Sequence, residues 1–268
     1  MENLDDAYAN AAHIPNADRF VPHWEETAKA FREKQLQAGR AYLDMAYGPT
    51  ERQRFDHFLP SGPSEDILIF VHGGYWLRFD KSYWSHLAEG ALDLGWQVAM
   101  PSYDLCPSVR ISDISRQIAK AVEEIAKHST GKIALAGHSA GGHLVARMAV
   151  GDLLAPEVMD RISHVMPISP VGDLRPLRQT AMNDSFELTQ EDAIAESPTL
   201  MPKPTCPVTV WVGANERPVF IDQAQWLAHA WSADIIIEPE KHHFDVIESL
   251  EEAQSDMLQK LLNSCTLA

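Results

Sequence analysis

Apolar positions in this chain fall into two rhythms that alternate along it. Short apolar runs, of the kind a strand buried on both faces shows, occur at Ile67 to Val71, Gln97 to Met100, Lys132 to Ala136, His164 to Ile168, Val208 to Val212 and Asp234 to Glu238. Between them lie stretches with helical spacing, at Tyr83 to Leu94, Ile111 to Lys127, Gly142 to Val150, Phe220 to Trp231 and Val246 to Leu262. The second of these is the clearest, with Ile114, Ile118, Ala121, Val122 and Ile125 on one face. Upstream, Pro22 to Gln37 reads as an amphipathic helix with Trp24, Ala28, Phe31 and Leu36 to one side. A hairpin-like pair follows around Tyr42 to Met45 and Arg54 to Leu59, broken by Gly48-Pro49. Strands alternating with helices predict an α/β architecture: a mostly parallel central sheet of about eight strands, flanked by helices. A chain of 268 residues suits one such domain, 1–268. Two stretches stand outside the alternation, the N-terminal helical region (about 1–40) and residues 174–207, rich in proline and polar turns. These are expected to form a small cap that covers the site and shapes its pocket.

The chemistry-bearing residues sit at the ends of the apolar runs. Gly137-His138-Ser139-Ala140-Gly141 follows the run ending at Ala136 and precedes a helical stretch. This is G-x-S-x-G in strand–turn–helix context, the arrangement of the α/β-hydrolase nucleophile elbow. Glycines on either side permit the sharp turn that lifts the serine hydroxyl above the following helix, whose free N–H groups favour developing negative charge. A second motif, His72-Gly73-Gly74-Tyr75-Trp76, ends the run Ile67 to Val71. An H-G-G loop after the third strand supplies the other arm of an oxyanion hole. The hole is therefore assigned to the N–H groups of Gly74, Tyr75 and Ala140, with His72 bracing the loop.

In this arrangement the nucleophile is followed along the chain by an acid and then by a histidine. Lys241-His242-His243-Phe244 leaves the last apolar run, so one of His242 and His243 is expected as the base, and His243 is preferred. The acid should leave the preceding run. Gly213-Ala214-Asn215-Glu216 does so, and Glu216 is the first carboxylate there, before Asp222 in the next helical pattern. The catalytic set is thus Ser139, Glu216 and His243, the glutamate holding the imidazole tautomer and stabilising the imidazolium.

Several further segments carry a resemblance. Tyr47-Gly48-Pro49 with Arg52-Gln53 and Phe55-Asp56, the H-G-G-x-W loop, Tyr103-Asp104-Leu105-Cys106-Pro107, Ser169 to Leu177 and Ser197-Pro198 resemble the kynurenine formamidase (arylformamidase) branch of the α/β-hydrolases, close to the hormone-sensitive-lipase-like esterases. The resemblance runs over most of the chain and implies the α/β-hydrolase fold. Carried over, the family's nucleophile falls on Ser139, its acid on Glu216 and its base on His243. The departure is at the acid, which is usually Asp in the formamidases. General carboxylesterases with the same loop share these motifs.

Twenty-two Lys and Arg stand against 38 Asp and Glu, a formal charge of −16. This argues against nucleic acid and against anionic membrane surfaces as partners. Cys106, Cys206 and Cys265 are too few and scattered for a disulfide framework. The N-terminal residues lack the features of a signal peptide, and no apolar run approaches spanning length. A cytoplasmic protein acting on a small ester or amide is expected, without metal or organic cofactor; a homodimer is compatible with all of this. Trp76 is the candidate substrate-binding residue, with Tyr75, Met182 and Phe186 as further aromatic or apolar walls. An aromatic wall suits an N-formyl aryl amide such as N-formylkynurenine, and suits an aryl ester equally. The expected reaction is acyl transfer through Ser139 on such a formamide. The alternatives are a short-chain carboxylesterase or thioesterase on the same site, and a non-catalytic binding protein on a hydrolase scaffold.

Overall fold

The structure is a computed structural model, and it describes residues 3–150 and 153–262. Cys265 lies outside the described residues, while Cys106 and Cys206 are free thiols. Eight strands form one sheet: β1 (Ala41–Ala46), β2 (Arg54–Phe58), β3 (Ile67–Val71), β4 (Gln97–Pro101), β5 (Ile133–His138), β6 (Ile162–Ile168), β7 (Thr209–Gly213) and β8 (Asp234–Glu238). Their spatial order is β1-β2-β4-β3-β5-β6-β7-β8. β2 pairs antiparallel with both β1 and β4, and the pairs from β4 through β8 are parallel. The helices are α1 (Leu4–Ala7), α2 (Phe20–Gln37), α3 (Glu89–Asp93), α4 (Ile111–Ala126), α5 (Ala140–Ala149), α6 (Pro156–Met159), α7 (Asn183–Phe186), α8 (Gln190–Ala195), α9 (Pro218–Trp231) and α10 (Asp256–Leu262). None is long and apolar enough to cross a membrane among the described residues.

Successive side chains of a strand point to opposite faces, and here both faces are covered. Ile67, Ile69 and Val71 of β3 enter one core layer with Ile114, Ile118 and Val122 of α4, Leu144 of α5 and Leu227 of α9. Leu68 and Phe70 enter the other, with Trp24 and Phe31 of α2, Ala91 of α3 and Leu258 of α10. That double burial is why the central strands read as continuous apolar runs. The edge strand β1 alternates between half-buried and exposed residues instead.

The winding of the sheet places the site. The chain leaves β3 for β4 on one side and returns for β5 on the other, so β3 and β5 lie side by side with a topological switch between their ends. Ligand crevices form outside the carboxyl ends of strands at such a point. Val71 is level with Gly137, and His138 with Ile168, so the loops leaving β3, β5 and β6 share one rim.

Three helices differ from the sequence-based expectation. Tyr83 to Leu94 divides into 3-10 turns, Lys81–Tyr83 and Ser85–Ala88, that run into the short α3. Val246 to Leu262 breaks at Glu252, which is extended, and restarts where Ser255 Oγ accepts from Leu258 N at 3.2 Å as a cap. In α2 the buried stripe is Trp24, Ala28, Phe31 and Gln35, leaving Leu36 exposed.

Buried histidines give the fold an acid limit. Burial holds His72, His86 and His164 down to about 4 and His143 to about 3. The unfolded chain therefore takes up protons first as pH falls below the ordinary histidine value, and the native state loses stability until its own histidines protonate. Stability to urea should hold from pH 8 to 7 and fall progressively between about pH 6.5 and 4. Equal unfolding midpoints at pH 7 and 5 would contradict this origin.

Candidate active site

The turn after β5 is forced by contact. Ser139 adopts φ 56° and ψ −115°, outside the comfortable regions for a side-chain-bearing residue. Its N–H donates to Ile168 O at 2.8 Å, and its carbonyl receives His143 N at 3.1 Å. Gly141 passes so close to β3 that a Cβ there would lie 2.0 Å from Val71 O. Only glycine lets the first turn of α5 seat this deeply, which puts Ser139 at the N-terminus of a ten-residue buried helix. Ser139 itself is 2% exposed and lines a cavity of about 800 Å³.

The loop after β3 is strained too. Gly74, Tyr75 and Trp76 have successive φ values of 106°, 54° and 55°. For the two aromatic residues this left-handed conformation costs roughly 1–3 kcal/mol each. Packing and hydrogen bonds offset it. Leu77 N and Arg78 N both donate to Gly74 O at 3.0 Å, and Cys106 N donates to Trp76 O at 2.9 Å. Tyr75 Oη donates to Tyr8 O at 2.7 Å. His72 braces the loop: its Nδ1 donates to Gly73 O at 2.7 Å, and its ring stacks on Tyr103 at 4.3 Å. Burial keeps it neutral, at about 4. Among the described residues nothing accepts from the N–H groups of Gly74, Tyr75 or Ala140. Gly74 and Tyr75 line the cavity together with Ser139, and Ala140 directly follows it.

Trp76 is not where the sequence suggested. Its left-handed backbone turns the indole inward, fully buried, edge-on to His143 at 5.1 Å and to Phe186 at 5.7 Å. It supports the loop from beneath and does not line the cavity, and the same holds for Phe186. Tyr75 and Met182 do line it.

β7 and β8 deliver the remaining pair. His243 Nδ1 donates to Glu216 Oε2 at 2.6 Å, both side chains buried. The other carboxylate oxygen, Oε1, accepts from Gly213 N at 2.9 Å and from the Ser169 hydroxyl. Both oxygens of a buried carboxylate are therefore satisfied, which is the condition for keeping it there. His243 shares the cavity wall with Ser139 and packs, tilted, against Phe220, with ring centroids 4.3 Å apart, and His138, at 4.6 Å. His138 is held well below the ordinary histidine range by burial and by His243, so it is a neutral neighbour. His242 turns away: its Nδ1 lies 3.0 Å from Asp245 Oδ1, and it is absent from the cavity wall.

Ser169 was not singled out by the sequence reading. Nothing marks it except its place at the end of β6, beside Pro170, and its contact with Glu216 depends on a backbone φ of 47° that letters do not reveal. The N-terminal region expected as part of a cap contributes a strap to the site. Residues from Asp5 to Trp24, among them Tyr8, Ala12 and Val21, line the cavity, with Trp24 packed against Phe79, Trp84 and Phe244. The strap is held by Asp6 on Arg217 Nη2 at 2.9 Å, by Ala181 N on Asp5 Oδ1 at 2.6 Å and by Gln223 Nε2 on Tyr8 Oη at 2.8 Å. Among the described residues no group of three His, Cys, Asp or Glu side chains is placed to hold a metal ion.

Residues 68–203 match a family model described as the alpha/beta hydrolase fold. Kynurenine formamidase of Danio rerio is 28% identical over 92% of this chain and 89% of its own length, and that of Drosophila melanogaster is 26% identical over 92% and 88%. A crystal structure of a candidate thioesterase from Silicibacter sp. TM1040 is 53% identical, with a TM-score of 0.95 over 97% of this chain and 99% of that one. Esterase 2 of Thermogutta terrifontis, 18% identical with a TM-score of 0.64 over 84% and 91%, shares the fold.

Replacing Gly141 tests the turn directly. Gly141→Ala must displace α5 or β3, and overpacking a rigid backbone contact costs about 1–3 kcal/mol or more. A thermal midpoint several degrees lower, with the site disrupted, is expected; a wild-type melting curve would show that the close approach at Val71 O is not what shapes the elbow.

Proposed function

From the premise that this chain belongs to the α/β-hydrolase fold family, we propose that it is a serine hydrolase cleaving a small aryl formamide or ester through Ser139, His243 and Glu216. The observation that carries this reading is the placement of a strained serine, a carboxylate-held histidine and the residues of two unpaired N–H groups, Gly74 and Tyr75, around one cavity, with a third unpaired N–H on Ala140 next to the serine. His243, kept in the Nδ1–H tautomer by Glu216, takes the Ser139 proton at Nε2 as Oγ attacks the acyl carbon. The carbonyl oxygen, now an anion, is received by the N–H groups of Gly74, Tyr75 and Ala140. The imidazolium then gives its proton to the departing amine or alcohol, leaving the acyl group on Oγ. Water, deprotonated by His243, attacks that ester, and collapse of the second tetrahedral species releases the acid and restores Ser139.

The cavity argues for an aromatic substrate. Its volume of about 800 Å³ is that of a small-molecule site, and Tyr8, Trp24, Tyr75, Phe79, Trp84 and Phe244 line it. An N-formylated aryl amine fits that wall, as in the formamidase relatives. The 53% identical Silicibacter structure, a candidate thioesterase, favours a second reading, acyl thioester or short-chain ester hydrolysis on the same residues. A binding protein without turnover is the reading from a different class. It conflicts with retention of every catalytic element, and reaction of Ser139 with a fluorophosphonate would exclude it.

The deciding measurement is kcat/KM on N-formylkynurenine, p-nitrophenyl acetate and butyrate, and an acyl-CoA thioester. Deformylation well above ester turnover is expected of a formamidase; a preference for the thioester would favour the second reading. Ser139→Ala and His243→Ala should lose turnover by several orders of magnitude, while His242→Ala keeps most of it. Glu216→Gln should fall by roughly 10⁴ if it behaves like other neutralised triad acids. Ser169→Ala, which removes one donor to Glu216, should fall less, by about tenfold. Normal turnover by Ser139→Ala would refute the serine mechanism outright.

A further inference from the structure

Two buried side chains of the N-terminal strap carry hydrogen-bonding capacity that the protein itself does not use. Asn10 and Tyr8 both line the cavity, and they are only 7% and 1% exposed. Asn10 Oδ1 is closed to solvent and has no hydrogen-bond partner among the described residues. Local structure does not account for an asparagine there. The residue is favoured before a helix because its side chain caps the first turn. Asn10 precedes the 3-10 turn Ala11–His13 with φ −65° and ψ −55°, and its side chain makes no capping bond. A buried acceptor left unpaired is costly, and an apolar residue at this position would avoid that cost.

Tyr8 has the opposite half unmet. Asp173 O can only accept and Asp173 N can only donate, and they lie 2.9 Å from Gln223 Nε2 and 2.7 Å from Gln223 Oε1. The amide of Gln223 is thereby oriented, and its second Nε2 hydrogen goes to Tyr8 Oη at 2.8 Å. The phenol oxygen is therefore an acceptor in that contact. Its own hydrogen is left with no acceptor among the described residues. Burial pushes the phenol up to about 12, so the hydrogen stays in place at neutral pH.

The two groups stand two residues apart, beyond the base rather than at the reacting bond: Tyr8 lies edge-on to Phe220 at 5.9 Å, and Phe220 packs against His243 at 4.3 Å. One acceptor and one donor set among Ala9, Ala11, Ala12 and Val21 is the pattern of a site whose few polar groups orient a ligand. The terminal torsion of asparagine is soft, so its amide can turn to meet a donor that enters the cavity. A carboxamide presents the complementary N–H and carbonyl oxygen together.

We propose that Asn10 and Tyr8 select substrates that carry a neutral carboxamide remote from the scissile bond, Asn10 Oδ1 accepting its N–H and the Tyr8 hydroxyl donating to its carbonyl oxygen. The proposal rests on the serine-hydrolase reading above and deepens it by naming the substrate class, acyl compounds whose departing aryl part bears an amide. Neither side chain takes part in bond making, so the contributions appear in KM more than in kcat.

Three acetate esters of similar phenols separate the two contacts. 3-(4-Acetoxyphenyl)propanamide offers donor and acceptor, 4-(3-oxobutyl)phenyl acetate the acceptor alone, and 4-(3-methylbutyl)phenyl acetate neither. For each variant kcat/KM is read as a ratio between probes, so any loss common to all three, from packing of the strap, divides out. Wild type should use the propanamide at least as well as the hydrocarbon ester, although the amide is far better hydrated. Asn10→Ala should lower the propanamide-to-ketone ratio by about threefold to tenfold, the scale of one neutral hydrogen bond, and keep the ketone-to-hydrocarbon ratio. Tyr8→Phe, which removes only the hydroxyl, should do the reverse, lowering the ketone-to-hydrocarbon ratio by a similar factor. Wild-type ratios in both variants overturn the proposal, and so does wild-type discrimination against the propanamide. Failure of the hydrolase reading looks different, because wild type would then turn over none of the three above the Ser139→Ala blank.

Discussion

Ser139 holds a backbone conformation that only its neighbours enforce, and the rest of the site is placed by that turn. A residue at φ 56° and ψ −115° does not stay there on its own account. It stays because α5 is pressed against β3 through Gly141, because β5 hydrogen-bonds on both sides, and because Ser139 N is tied to Ile168 O. Each support is a backbone feature of the most buried part of the sheet, where packing is dense and displacement is resisted. The strain is thus carried by the core and expressed at its rim. The same turn that brings Ser139 to the cavity also places the unpaired N–H of Ala140, so the two cannot be adjusted separately.

His243 is positioned by a different physics. Glu216 is buried with its charge, which is tolerable because Gly213 N, Ser169 Oγ and His243 Nδ1 all donate to it. Those donors come from β6, β7 and β8, so three strand ends converge on one carboxylate. In a site shielded from water this fixes the imidazole tautomer without further help, and the rings of Phe220 and His138 pack against the imidazole at a tilt. A glutamate serves here although its side chain is longer than aspartate, because the loop turns back at once: Ala214 N bonds to Glu238 O and Asn215 N to Lys241 O.

Much of this was legible in the letters. Continuous apolar runs identify strands buried on both faces, and glycines at fixed offsets from a serine mark a turn that other residues could not make. Chain order at the ends of β7 and β8 picks out Glu216 and His243, which the structure brings into hydrogen-bond contact. What escaped detection depends on three-dimensional direction. Trp76 follows the H-G-G turn, yet a positive φ reverses the side it faces and sends the indole into the core. Ser169 becomes a partner of Glu216 through a similar reversal. The break between Glu251 and Asp256 lies inside a pattern whose apolar spacing continues on both sides, so periodicity cannot reveal it. The region about 1–40 is legible as a cap, but which of its residues line the cavity is not, because alanines and short turns carry little pattern until something packs against them.

That wall changes how the site should be understood. Tyr75 has an unpaired backbone N–H and, through its phenol, donates a hydrogen bond to Tyr8 O in the strap. Tyr8 in turn receives Gln223 Nε2, whose amide also bridges Asp173, where Asp173 N donates to Gln223 Oε1 at 2.7 Å. A displacement of the strap is therefore transmitted, through these side chains, to the loop after β3. Because Tyr75 is already strained, small displacements of its ring are coupled to the orientation of its N–H rather than absorbed by a soft backbone. The aromatic lining and the N–H proposed as an oxyanion donor thus share one residue. On the proposed reading, this is the physical route by which binding remote from the reacting bond would be converted into rate.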